Sequence, residues 1–246
     1  MFRNIVLSAF GAALLICLGV SLLQTYTTEP LILHAEEFEG AAPHDHAPGA
    51  ANAMSSSWMA AHARESSDAT AAATEPEEWG PAEGLERTAY TVLANLVIGF
   101  GASLMILSLM ILKGDPIDTR SGLQWGIAAF FAVSLLPSLG LPPELPGTPA
   151  AEIVSRQTWW LATAVASAAG VALIVFRREW WWLVAGGVLI VGPHLIGAPT
   201  PPSHDVAYPG ALAGEFVIAS LVVSATMWAI AGAASGWLHQ RLTALS

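Results

Sequence analysis

Pro43-His44-Asp45-His46 sets two imidazoles and a carboxylate within four residues, the side chains that hold divalent transition metals. The run lies in an acidic insert, residues 29–87, that carries twelve of the chain's nineteen carboxylates, four of its seven histidines and two arginines. Upstream, Leu31-Ile32-Leu33-His34-Ala35-Glu36-Glu37 follows Glu29-Pro30. Proline suits the first turn of a helix, and a helix here would set His34 and Glu37 one turn apart on one side. Beyond the insert, the proline-stiffened loop Leu141-Pro142-Pro143-Glu144-Leu145-Pro146-Gly147 fixes a single carboxylate, Glu144. His194 sits between Pro193 and Pro199, where missing backbone N–H groups release carbonyls that could coordinate a cation. Glu215 lies one turn into the last apolar segment. The candidate metal ligands are therefore Glu29, His34, Glu37, His44, His46, Glu144, His194 and Glu215. Plainer readings stand beside these: a solvated spacer for His44 and His46, as for His62, an interfacial charge for the flank carboxylates and for Glu215, and a carbonyl-satisfied ring for His194.

The elements that must position these groups are membrane helices. Of 246 residues, 54 % are hydrophobic and only 11 % charged, with mean hydropathy +0.56, whereas a soluble surface commonly needs about 25 % charged residues. Six segments approach the roughly 20 apolar residues of a span: 5–23, 88–112, 123–139, 158–176, 181–196 and 211–238. The third and fifth are short and end near Pro137 and Pro193, so the count falls to five if one only re-enters. The expected fold is an all-α integral membrane protein, with a first span in residues 1–28, the acidic loop 29–87, and a helix bundle in 88–246. Residues 40–80 hold almost no aliphatic side chain beyond alanine, which predicts disorder there. The pairs Gly122/Gly126, Gly210/Gly214 and Gly232/Gly236 have the small-xxx-small spacing that lets helices approach closely.

Basic residues give the orientation. With the N-terminus inside, Arg3, Lys113, Arg120, Arg177, Arg178 and Arg241 fall inside and Arg64, Arg87 and Arg156 outside. Both termini are then cytoplasmic and the insert faces the periplasm or medium. A carboxylate four residues before Arg87 makes Glu83 its expected local partner. The first segment has no small-x-small cleavage site after it and reads as a retained anchor. Cys17 lies mid-span and reads as a small apolar side chain. No basic patch for nucleic acid appears. Nor is there a phosphate-binding loop, a nucleophile with its base, or a haem or iron–sulfur spacing, so the chain does not read as an enzyme and no tightly bound cofactor is expected.

Several motifs, taken in order, resemble the CbtA family of predicted cobalt transporter subunits of bacteria. They are Met1-Phe2-Arg3, Glu29-Pro30-Leu31-Ile32, Glu83-Gly84-Leu85-Glu86-Arg87-Thr88, Leu139-Gly140-Leu141-Pro142-Pro143-Glu144-Leu145-Pro146-Gly147, Arg156-Gln157-Thr158-Trp159-Trp160 and Pro193-His194-Leu195-Ile196-Gly197-Ala198-Pro199. The resemblance implies an inner-membrane protein that works with a small histidine-bearing subunit, CbtB, in cobalt uptake for cobalamin synthesis. Relatives are usually described with five spans and a denser histidine run in the first outer loop, so this chain departs in both respects.

Two functions follow as expectations. In the first, the chain is a membrane subunit for uptake of a divalent metal, cobalt by resemblance, with nickel and zinc equally suited to the ligands. In the second, it is a non-transporting accessory subunit of a larger membrane complex, which the scarcity of ionisable groups inside the spans favours.

Overall fold

Asn4, near the start of the chain, donates to the Leu242 carbonyl near its end at 3.3 Å. The first and last helices are therefore antiparallel, and both termini lie at one end of the bundle. The computed structural model describes residues 2–41, 84–114, 116–177 and 179–245. The helices are α1 (Phe2–Tyr26), α2 (Thr28–Ala41), α3 (Leu85–Lys113), α4 (Thr119–Ser138), α5 (Ile153–Phe176), α6 (Trp180–Ile196) and α7 (Gly210–Ala244). Among the described residues there is no strand.

Helices α1, α3, α4, α5 and α7 are long and apolar enough to cross a membrane. Helix α6, the fifth of the six expected segments, has 17 residues, about 25 Å at 1.5 Å per residue, against a hydrocarbon core of about 30 Å. It packs back along α5 after the tight turn at Arg177 and Glu179. Because α7 starts at the end opposite the termini, α6 must carry the chain back across the bundle despite its length. The structure thus has five full-length spans and one short apolar helix, and α1, α3, α4, α5, α6 and α7 alternate in direction.

Glycines set how closely these helices meet. A Cβ on Gly122 would stand 2.2 Å from the Gly232 carbonyl oxygen, one on Gly126 2.3 Å from the Trp228 carbonyl oxygen, and one on Gly236 2.1 Å from that of Asp118. The two small-residue pairs therefore form a single interface between α4 and α7. Gly210 and Gly214 meet nothing within 4 Å, so the same spacing there does not mark a contact. Helices α5 and α6 cross at Gly170 and Gly186, each of whose Cβ positions would be 2.7 Å from the other's carbonyl oxygen. The core between α1, α3, α4 and α7 is made of Ile16, Val20, Ile106, Met110, Val223 and Trp228.

Helix α4 begins earlier than its apolar run. Asp118 accepts the Ser121 N–H at 2.8 Å while Ser121 Oγ accepts the Asp118 N–H at 3.1 Å, a reciprocal cap that starts the helix at Thr119. Its far end is a π-helical segment, Phe130–Leu135, just ahead of Pro137. Proline has no N–H and its ring collides with the carbonyl four residues back. Widening the preceding turn relieves that collision, and Leu136 N–H donates to the Phe131 carbonyl, five residues back. Ser134 within this segment accepts the Trp228 Nε1–H at 3.0 Å, which ties the widened turn to α7.

Candidate functional site

The end of the bundle opposite the termini gathers those of the sequence's candidate ligands that lie among the described residues. It is built by α2, the loop between α4 and α5, the end of α6 and the start of α7. Helix α2 follows α1 after a break at Thr27, whose hydroxyl donates to the Leu23 carbonyl at 2.7 Å. Ala35 from α2, Leu145 from the proline-rich loop, and Tyr208, Leu212 and Phe216 from α7 and its approach form one buried apolar cluster. Thr148 and Tyr208 add a short hydroxyl–hydroxyl hydrogen bond across the same junction. Burial of about five apolar side chains is what holds three segments of distant sequence together here.

On this scaffold the acids fall into two groups. Glu36 takes a two-pronged contact from Arg87, at 2.7 and 3.2 Å, and Glu144 takes one from Arg156 at 2.7 Å. The expected local partner of Arg87, Glu83, lies outside the described residues; among those described, Arg87 holds a residue 51 positions upstream. Glu29 is half-buried at the start of α2, while His34 and Glu37 are exposed further along it. Glu215 is exposed on α7, whereas Leu212 and Phe216 of the same turns are buried. The imidazole of His34 lies 5.3 Å from the Phe38 ring. His44, His46 and His62 lie outside the described residues.

His194 is placed by aromatic packing. Its ring meets Trp159 edge-on at 5.6 Å. A Cβ on Gly140 would come within 2.3 Å of the same indole, so glycine there is what lets Trp159 reach the histidine. Among the described residues, His194 Nε2 and Trp159 Nε1 are buried without a hydrogen-bond partner, a costly state for a polar atom and one that favours a ligand or water at that point. Both resemblance motifs, Arg156-Gln157-Thr158-Trp159-Trp160 and Pro193-His194, therefore converge on one contact. Nothing in the sequence spacing foretold it, since 35 residues separate the two rings.

Glu152, three residues upstream of Ser155 at the head of α5, is committed to structure. Its carboxylate accepts Ser155 Oγ at 2.7 Å and the N–H groups of Val154 and Ser155 at 2.9 and 2.7 Å. Those bonds, the Ser155 hydroxyl first, hold its pKa below the ordinary glutamate value. Asn95 of α3 donates to Gln24 Oε1 at 2.6 Å and Ser21 Oγ at 2.9 Å on α1, a polar knot just inside the same end.

Among the described residues, no three His, Cys, Asp or Glu side chains come together as a group that could hold a metal ion. The described candidates, Glu29, His34, Glu37, Glu144, His194 and Glu215, share one end of the molecule without converging on a point, and two of the acids there, Glu36 and Glu144, are paired with arginine. An acidic face of this kind raises the local concentration of cations. A cation binding at Glu36 or Glu144 must compete with the arginine already there. The opposite end, holding both termini, carries Arg3, Lys113, Arg120, Arg177 and Arg241, so the bundle is polarised from basic to acidic along its axis.

No curated protein and no solved structure matches the chain. One family model does, over residues 2–240, and its description is probable cobalt transporter subunit (CbtA). That match spans nearly every element described above, from the first helix to the last turns of α7, and it supports a transport-subunit role in a multi-pass membrane protein. The chain belongs to the CbtA family.

Proposed function

We propose that this protein is the membrane subunit through which a divalent transition metal, cobalt above others, enters the cell for cobalamin synthesis. The single observation that carries the reading is the polarity of the bundle. Glu29, His34, Glu37, Glu144, His194 and Glu215 all belong to the end opposite the termini, and the family is one of cobalt transporter subunits. In this reading that end is periplasmic, the basic end with both termini is cytoplasmic, and the membrane is the bacterial inner membrane. Ions gather on the acidic face and move toward His194, whose unpartnered Nε2 is the strongest single ligand there. The metal is cargo rather than a resident cofactor. A small histidine-bearing subunit of the CbtB type completes the transporter, since the chain has no nucleotide-binding loop of its own.

Cobalt accumulation in a deletion strain tests this. Complementation by the wild type should raise cellular cobalt, and His194→Ala or Glu144→Ala should abolish the gain at equal membrane abundance. Removal of residues 42–75 should leave uptake in place if His44, His46 and His62 are collectors only.

A second reading, a non-transporting accessory subunit, is favoured by the pairing of Glu36 and Glu144 with arginines, which makes them structural braces. It prevails if both substitutions leave uptake unchanged and the protein co-purifies in fixed ratio with a different membrane complex.

A further inference from the structure

Ser8, Thr91, Thr226 and Ser235, among others, donate their hydroxyls to the carbonyl four residues back, the ordinary way a helix satisfies them in apolar surroundings. Thr163 and Ser167 of α5 do not. Both are buried, at 0 % exposure, and among the described residues neither hydroxyl has a hydrogen-bond partner. Trp159, whose Nε1–H shares that state, lies one turn before Thr163. The spacing of Trp159, Thr163, Ser167 and Gly170 keeps all four on one face of α5. That face meets α6: Gly170 lies against Gly186, and Trp159 against His194. Between Gly186 and His194, the residue of α6 at the same four-residue spacing is Ile190, which offers the hydroxyls no partner. Ser103 of α3 is also unpartnered, but it stands singly, one turn from Gly99, which faces Ile16 of α1. The indole, the two hydroxyls and His194 Nε2 thus run in file between α5 and α6. The file starts at the end of the bundle that holds the acids and reaches Ser167, about 21 Å along a helix of 24 residues.

We propose that this file is a water-filled half-channel, entered beside His194 and closed near mid-membrane by the Gly170–Gly186 contact. The donor set selects water. An indole N–H only donates, a hydroxyl donates and accepts, and an imidazole nitrogen does either; water matches each in turn. A bare cation has no use for the indole N–H, and among the described residues no carboxylate stands on these two faces to balance its charge. A lipid chain would leave all four groups unsatisfied. Polar side chains buried between membrane helices are where water enters a bundle. On the uptake reading, on which this step rests, a cation keeps part of its hydration shell as it moves from His194 to Ser167. The barrier to crossing is then confined to the glycine contact and the apolar half beyond it.

The test uses the full chain in nanodiscs with Cys17, its only cysteine, replaced by alanine. Thr163→Cys and Ser167→Cys are compared with Leu161→Cys and Val165→Cys, at positions 58 % and 61 % exposed on the outside of the bundle. Cysteine is close in size to serine and threonine, so packing in the file is kept. Thiols react as thiolates, which form in water and not in hydrocarbon. Aminoethyl methanethiosulfonate should therefore modify the two file positions roughly 10-fold faster, or more, than the two controls. Equally slow reaction at all four overturns the proposal, because the hydroxyls then lie in a dry contact. Thr163→Val with Ser167→Ala should lower the maximal rate of cobalt uptake roughly fivefold at equal membrane abundance, the effect of one lost hydrogen bond, with KM within about twofold. Thr163→Ser with Ser167→Thr should keep the wild-type rate. Unchanged uptake in the apolar double variant overturns passage through the file. A wild type that accumulates no cobalt yet reacts at both file positions supports the water path and sinks the uptake reading instead.

Discussion

Arg87, in the first turn of α3, holds Glu36 of α2 through both terminal nitrogens of its guanidinium, at 2.7 and 3.2 Å. The pair fastens α2 to the start of α3, the two described flanks of the insert. Both side chains are about one-third exposed, at 32 % and 34 %, which limits its strength. A double-mutant cycle with Arg87→Gln and Glu36→Gln should give a coupling of about 0.5–1 kcal/mol in thermal unfolding. Exchanging the two residues should recover most of the loss. A coupling indistinguishable from zero would show that the buried Ala35 cluster alone holds α2 in place.

Arg156 occupies Glu144 at 2.7 Å, and an incoming cation must displace it. On the transport reading, Arg156→Gln should lower the apparent KM for cobalt by roughly 2–5-fold, the range of a partly exposed pair with good geometry. Glu144→Gln should raise it. Uptake kinetics at fixed membrane abundance decide the matter, and an unchanged KM in both variants removes Glu144 from the path.

The α4–α7 contact is made by backbone against backbone. Gly122→Ala or Gly232→Ala places a methyl about 2 Å from a carbonyl oxygen, which forces the helices apart. Each should cost about 1–3 kcal/mol and be read as a lowered midpoint in thermal unfolding. Gly214→Ala meets nothing within 4 Å and should be neutral or slightly stabilising, since alanine favours helix by about 0.5–1 kcal/mol. Equal effects at all three sites would contradict the interface.

Two helix starts are acid-sensitive. The Ser121 N–H lowers the pKa of Asp118, and the Ser155 hydroxyl and neighbouring amides lower that of Glu152. Groups depressed on folding contribute stability above their unfolded values, 3.8 and 4.5, and lose it as pH falls through the folded values. Thermal stability should therefore decline below about pH 4.5. Asp118→Asn together with Glu152→Gln should flatten that decline, since neither amide titrates. A decline of unchanged steepness in the double variant would assign acid sensitivity to other carboxylates.

The bundle is largely legible in the sequence because a bilayer demands long apolar runs, and the runs at 5–23, 88–112, 158–176 and 211–238 each became a spanning helix. The third run is longer than its apolar pattern because the Asp118–Ser121 cap adds polar residues to its start. The π-helical turn before Pro137 has no sequence signature beyond the proline itself. Glycine spacing announces close packing but not the partner: Gly122/Gly126 found Gly232/Gly236, while Gly210/Gly214 found none. The candidate site was visible as residue types, since Glu144 and His194 stand in proline-rich frames. Its pairings were not, because Arg87 with Glu36 and Trp159 with His194 depend on tertiary register, which local spacing does not encode.

The antiparallel contact between Asn4 and Leu242 gives the chain an almost closed course. A short linker joining its two ends would need to span only the end of the bundle where both already lie. New ends opened between residues 41 and 84 would fall at the other face, next to Glu36 and Arg87. A circular permutant of this kind keeps every helix pair intact, and it would carry a tag or reporter on the acidic side without crossing the bundle.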